Sequence, residues 1–245
     1  PPTDFYLRLS NVADPGPGNG EIRANALDLN NLVSLTDFLP LGAGVKEKLA
    51  EFAPHGTVTG LRAKWEGESG KPLHYEVKAK FGNLSLKRTG KFPGFSGLSG
   101  ELEGTDATGT LSLNTHKLTL DAPDLMPEPL EFDTLRAQSS WRRDRQGLEV
   151  RFNDVALANS DVAGTVYGSF QTVPNSRGVI DLNINLTRGA VGHAARYIPV
   201  VALDKATHDW LRGALLDGQA DEFHLRMKGS LDDFPFPENR KGIFQ

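Results

Sequence analysis

Histidines are the first residues to weigh for metal binding or proton transfer, and the chain has six: His55, His74, His116, His193, His208 and His224. None lies in an HExxH spacing, and no two stand at the helical i, i+4 distance that would present both rings to one zinc ion. His74, His116 and His224 fall on the polar side of alternating segments and read as solvated side chains. His208, beside Asp209, reads as a surface or capping residue of a helix. Ser96 and Ser99 lie in GFSGLSG (94–100), but the flanking glycines do not form a GxSxG elbow. GPGNG (16–20) and GAG (42–44) do not follow a strand and open a helix with phosphate-loop spacing, and read as turns. Carboxylate pairs such as Glu101/Glu103 and Asp232/Asp233 carry no spacing specific to acid–base catalysis. The sequons Asn83-Leu84-Ser85 and Asn185-Leu186-Thr187 are short enough to arise by chance. No reaction emerges, so no catalytic residue, metal ligand or cofactor is assigned.

Composition narrows the classes further. The 245 residues contain no cysteine, which excludes disulfides, thiolate catalysis and cysteine metal sites. A net charge of −4 argues against a nucleic-acid surface, which needs a concentrated basic field. The one basic cluster, Arg142, Arg143 and Arg145, surrounds Asp144 before Gln146-Gly147 and reads as a solvated hairpin turn. No stretch approaches the roughly 20 apolar residues that span a bilayer. The chain begins Pro1-Pro2-Thr3-Asp4 without a basic, apolar leader, so any anchor or signal is expected outside these residues or not at all.

The elements that must position any site are mostly strands. Period-2 alternation, the mark of a strand with one buried face, runs through HYEVKAKF (74–81), GTLSL (109–113), HKLTLD (116–121) and LEVRF (148–152). It is cleanest in VIDLNINL (179–186), where Ile180, Leu182, Ile184 and Leu186 oppose Asp181, Asn183 and Asn185. EFHLRMKGSL (222–231) repeats it, with Phe223, Leu225 and Met227 against His224, Arg226 and Lys228. Turn residues at Asp14-Pro15-Gly16, Gly67 to Gly70 and Asn175 to Gly178 imply antiparallel hairpins. Helical spacing replaces alternation at roughly 31–52 and 190–217. In the second stretch Leu203, Ala206, Trp210 and Ala214 form a stripe widened by Leu211 and Leu215, a shorter helix precedes Pro199, and Gly218 ends the run. Each helix is expected to pack over an end or edge of the sheet.

Three segments share one template: FYLRLSNVA (5–13), VKAKFGNLS (77–85) and LEVRFNDVA (148–156), offset by 72 and 71 residues. An even period suggests stacked units of a quasi-one-dimensional array. The expected organisation is one continuous segment over 1–245, with units 1–72, 73–144 and 145–216 and with 217–245 leading into the next.

The C-terminal third carries a family resemblance. ARYIP (195–199) is followed by LDKATHDWLRGALLDGQADEFHLRMKGSLDDFPF (203–236) and GIF (242–244). This succession, a helix with Trp210-Leu211, a strand ending Lys228-Gly229-Ser230-Leu231, then Asp233-Phe234-Pro235-Phe236, resembles the YhdP family, bacterial relatives of AsmA and TamB. LTLDAPDL (118–125) and RFNDVAL (151–157) look like the family's recurring strand-and-turn elements, and residues 1–60 match less clearly. The resemblance implies a periplasmic segment of a larger inner-membrane-anchored envelope protein, its anchor outside these residues. It implies an elongated, twisted antiparallel sheet bent into an apolar groove, which passively conducts phospholipid between inner and outer membranes in support of the outer-membrane permeability barrier, with no cofactor.

Pattern alone favours a closed β-sandwich whose inner faces cover each other. The groove is favoured once the resemblance is added, because only about 50 residues look helical, few to cover ten or more strands. The residues expected to line it, in contact with acyl chains, are Val77, Ala79, Leu111, Leu113, Leu118, Leu120, Val150, Phe152, Ile180, Leu182, Ile184, Leu186, Phe223, Leu225 and Met227. Each is equally suited to an ordinary core. The competing function is a scaffold that engages envelope or outer-membrane protein partners by adding a strand to a sheet edge. A carbohydrate-binding or hydrolytic domain is the weakest reading, since only Trp65, Trp141 and Trp210 occur and Trp210 is expected to be buried on its helix.

Overall fold

The computed structural model describes residues 4–10, 17–31, 43–68, 71–90, 92–198, 205–234, 236 and 242–245. The alternating segments become thirteen strands of one open antiparallel sheet. These are β1 (Phe5–Ser10), β2 (Pro17–Asp28), β3 (His55–Glu68), β4 (Lys71–Leu86), β5 (Gly94–Thr105), β6 (Thr108–Asp121) and β7 (Leu130–Asp144). They continue with β8 (Gly147–Ala158), β9 (Val162–Gln171), β10 (Val179–Ala190), β11 (Gln219–Ala220), β12 (Phe223–Ser230) and β13 (Gly242–Phe244). Hydrogen-bonded order follows chain order except at the end, where β12 joins β10 directly and short β11 pairs beside it on β10. Two compact units divide within β6, Pro1–Thr115 and His116–Gln245.

The template segments fall on β1, β4 and β8. GTLSL and HKLTLD run together as the single strand β6. Lys117, the second residue of HKLTLD, is left-handed at φ 61°, where a strand can shift its alternation. The expected turn at 16–20 is instead the start of β2 from Pro17 onward, and Gly44 lies in a helix. The hairpin at Arg142–Arg145 is as expected. Asp144 pairs with Gly147, Arg145-Gln146 form the turn, and Gln146 N–H donates to Asp144 Oδ1 at 2.8 Å.

Helices are few and short. α1 (Ala43–Phe52) covers the later part of the expected 31–52 helix, and residues 32–42 lie outside the described ones. Its last turn is tied to the end of β4, with Lys87 N–H on Phe52 O at 2.8 Å and the Phe52 and Phe92 rings edge to face. The second stretch divides into a 3-10 helix (Val191–Tyr197) and α2 (Lys205–Ala214), while Leu203 and Pro199 lie outside the described residues. Trp210 is not buried: it is 67% exposed. None of the described helices is long and apolar enough to cross a membrane.

Glycine is required where strands crowd. Gly168 in β9 has φ 141°, and a methyl group there would collide with the Asp181 carbonyl of β10. Gly168→Ala therefore sets strain against the β9–β10 ladder and is expected to lower the unfolding free energy by about 2–3 kcal/mol. Urea unfolding followed by circular dichroism measures it, and an unchanged midpoint would contradict the crowding.

Candidate functional site

Directly opposed residues of an antiparallel pair share a face, so the register decides whether separate apolar patterns merge. In the second unit they do. Trp141 opposes Val150, Val150 opposes Phe170, and Phe170 opposes Ile180. The next row runs Ser139, Phe152, Gly168, Leu182, Met227 and Phe244. A third joins Ala137, Val155, Val166, Ile184 and Leu225, and a fourth joins Leu135, Leu157, Gly164, Leu186 and Phe223. Asp181, Asn183 and Asn185 occupy the opposite face, where Asp181 pairs with Arg226 and with Lys228 at 3.2 Å.

The first unit follows the same rule. Leu7, Ile22, Ala63, Val77 and Gly104 form one row, and Ala79 sits opposite Leu102. Phe81 faces Gly100, whose missing side chain leaves room for Leu113. Trp65 lies over Gly20 in the same manner. The other face alternates charge across four strands, Arg8, Glu21, Lys64 and Glu76, and carries the Lys78–Glu103 pair at 2.6 Å.

The expected residues on β8, β10 and β12 thus come together on one face: Val150, Phe152, Ile180, Leu182, Ile184, Leu186, Phe223, Leu225 and Met227. Val77 and Ala79 lie in neighbouring rows of the first unit. Leu111, Leu113, Leu118 and Leu120 all belong to β6, where Leu118 is buried and the others are half-buried. Sequence reasoning missed Trp141, Val155, Leu157, Val166 and Phe170. Bulges in β8 and glycines in β9 break their alternation in the chain, although not in space.

Exposure along this face is distinctive. Val150, Phe152, Val166, Ile180, Leu182, Ile184, Leu186, Leu225 and Met227 are half-buried, and Phe223 is 46% exposed. The inner face of a closed sandwich would bury such residues almost completely. Within each unit the described strands form a single layer. Buried apolar residues of the second unit lie mostly toward one end of the strands, at Leu118, Leu130, Phe132, Val162 and Ala195, while Ala137 of the third row is also buried. A separate buried point is Phe236, whose ring covers Gly229 and Gly242 and meets Phe234 edge to face.

At the capped end a polar cluster joins the 3-10 helix to the β8–β9 turn. Asp161, only 7% exposed, lies within 2.8 Å of His193 Nδ1 and accepts from Arg196 Nη1 at 3.0 Å and Tyr197 Oη at 3.1 Å. Asn159 shapes the turn by accepting from Asp161 and Val162 N–H, while its amide donates to Tyr197 Oη at 2.9 Å and Glu131 O at 2.5 Å. Arg188 donates to Asn159 O. A cleft of about 270 Å³ beside it is lined by Lys117, Glu131, Phe132, Asp133, Asn159, Asp161 and Arg196, among others. Burial alone would push the Asp161 carboxyl up, but hydrogen bonds from His193, Tyr197 and Arg196 outweigh it and hold the group below its ordinary value. Burial, with the adjacent carboxylate, pushes the Tyr197 hydroxyl up. In the sequence Asn159-Ser160-Asp161 looks like any polar turn, and only its burial marks it. Among the described residues no group of three or more His, Cys, Asp or Glu side chains could hold a metal.

A single-layer antiparallel sheet with one charged and one half-open apolar face defines a class of β proteins that present an extended surface. The family described as YhdP protein matches residues 1–245, and the chain belongs to that family. It is 23% identical over 229 residues to the intermembrane phospholipid transporter YhdP of Escherichia coli (strain K12), a match covering 92% of this chain and 18% of that protein. The chain therefore spans under a fifth of its relative's length. No solved structure matches it.

The lowered Asp161 pKa sets the sign of a pH dependence. Its stabilisation is present above the unfolded carboxyl value, near 3.9, and is lost as pH falls through the lower folded value. Asp161→Asn leaves buried donors without their charged acceptor and is expected to cost about 1–3 kcal/mol at pH 7. The gap from wild type should then narrow below about pH 4. Urea midpoints recorded from pH 7 to 3 measure both effects, and a gap of constant size would contradict the assignment.

Proposed function

We propose that this chain is a periplasmic segment of an inner-membrane-anchored protein and conducts phospholipid acyl chains along its apolar sheet face. The observation that carries the reading is the half-buried state of that face. Aligned rows of Val, Ile, Leu, Phe and Met run across neighbouring strands in each unit, with no second sheet on them among the described residues. Apolar surface of this kind gains roughly 25 cal/mol per Å² when covered, and acyl chains cover it without directional contacts. The E. coli relative, an intermembrane phospholipid transporter, supports the same cargo. Conduction of this type is passive, and the chain needs neither a cofactor nor a catalytic group for it. Val77, Ala79, Leu111, Leu113, Leu118, Leu120, Val150 and Phe152, with the rows on β10 and β12, are the proposed contact residues.

Parity along β10 gives a direct test. Ile184→Asp places a charge on the apolar face, and Asn183→Asp places the same charge one residue away on the opposite face. The 245-residue chain is expected to retain phospholipid after incubation with vesicles and reisolation. Ile184→Asp should lower the bound amount by at least about tenfold, since a buried unpaired charge costs several kcal/mol. Asn183→Asp should leave it unchanged, with both variants folded by circular dichroism. Equal loss in the two variants, or no lipid on the wild-type chain, would refute the reading.

A further inference from the structure

The apolar rows of the second unit end on charge. Leu135 opposes Leu157 in the fourth row, and two residues further along each chain segment stand Asp133 and Asn159. At the rise of a strand that step is about 7 Å. Both residues line the cleft of about 270 Å³ beside the Asp161 cluster. Arg188, two residues beyond Leu186 on β10, donates to Asn159 O and ties this rim to the same row. A surface that passes from leucine rows into a charged cleft has the polarity of an amphiphile laid along the strands.

The charges of the cleft retain bonding capacity. Asp161 is fully engaged by His193, Arg196 and Tyr197. Lys117 Nζ donates to Asp133 Oδ1 at 2.6 Å and keeps further N–H donors, on a side chain that is 83% exposed. Arg196 gives Nη1 to Asp161, whereas its Nη2 stands 3.6 Å from Glu128, beyond hydrogen-bond reach. Glu131 is exposed, and among the described residues its carboxylate makes no hydrogen bond or ion pair, acting on Lys117 only through space. Two cations, Lys117 and Arg196, against three carboxylates, Glu131, Asp133 and Asp161, leave the lining with a net charge of −1. A bare anion meets no net attraction there. A phosphate that carries its own ammonium group meets donors and acceptors together.

We propose that this cleft receives the headgroup of a phospholipid whose chains lie on the apolar rows, with its phosphate on Lys117 and Arg196 and a primary ammonium on Glu131. The headgroup class is zwitterionic and amine-bearing, so phosphatidylethanolamine is preferred over anionic phosphatidylglycerol. Buried Leu118 and Phe132 give the cleft an apolar wall, which strengthens the charged contacts beside it. The inference rests on the lipid-conduction reading and adds a choice of headgroup to it.

Calorimetric titration of the 245-residue chain at pH 7 tests the site, using dihexanoyl phosphatidylethanolamine and dihexanoyl phosphatidylglycerol below their micelle concentrations. The wild-type chain is expected to bind the first at least about fivefold more tightly. Glu131→Gln should remove that preference to within about twofold, because only the ammonium contact is lost. Lys117→Gln should weaken both lipids alike, by about threefold, and keep the preference, because both carry the phosphate. Glycerophosphoethanolamine, the same headgroup without chains, should bind at least about tenfold more weakly than the lipid. Equal affinity for that soluble molecule would assign the cleft to free phosphoamines and overturn the lipid headgroup site. Equal binding of the two lipids by the wild-type chain, a preference that survives Glu131→Gln, or one abolished by Lys117→Gln also overturns it, with conduction left standing. Binding of neither lipid overturns conduction, and the headgroup site with it.

Discussion

Antiparallel ladders impose a constraint that the rest of this molecule obeys: residues opposed across two strands point to the same side of the sheet. One strand with alternating side chains makes only a line of apolar groups. Because β7, β8, β9, β10 and β12 pair in the register they do, five such lines meet as rows from Trp141 to Gly229 and from Leu135 to Phe223. A slip of one residue anywhere would send half of those side chains to the charged face. The glycines within the rows serve the same end, since Gly100 and Gly20 leave space that Leu113 and Trp65 occupy.

Such a layer is stabilised differently from a globular core. Exposed pairs on the charged face, such as Lys78–Glu103, contribute about 0–1 kcal/mol each. Cross-strand apolar pairs contribute about 0.2–1 kcal/mol each. Neither replaces what full burial of the apolar rows would supply. Most of the buried residues of the second unit instead lie toward one end of the strands, at Leu118, Leu130, Phe132, Val162 and Ala195, and the Asp161 cluster sits at that end. Desolvation penalises the Asp161 carboxylate, and only the convergence of His193, Arg196 and Tyr197 offsets it. A closed joint at the rim and an open apolar face between the strand ends are two consequences of the same single-layer design. The chain belongs to a family whose E. coli member is named for phospholipid transport, which is compatible with the proposal that lipid covers this face.

Much of this was legible in the chain. The apolar positions of VIDLNINL and EFHLRMKGSL share a face because strands with period-2 alternation have no other way to segregate them. The turn at Asn175–Gly178 was legible too, as both ends of it adopt positive φ, which asparagine and glycine tolerate. Less legible were the rows through β7 and β9. The bulge at Asn153–Asp154 in β8 and glycines 164 and 168 in β9 interrupt the pattern in sequence while the ladder restores it in space. Trp210 misled because a helical stripe states which residues align and not which side meets the protein.

By itself, the sequence determined strand identity, hairpin connectivity, the absence of thiol chemistry and the division of each strand into an apolar and a polar side. These follow from local periodicity and residue type. Tertiary structure alone decided that the apolar sides remain half-open, that the strands make one layer in each unit and that Asp161 is buried among three donors. Coverage and burial depend on which distant segments meet, and residues 159–161 and 193–197 are brought together only when β9 and β10 pair.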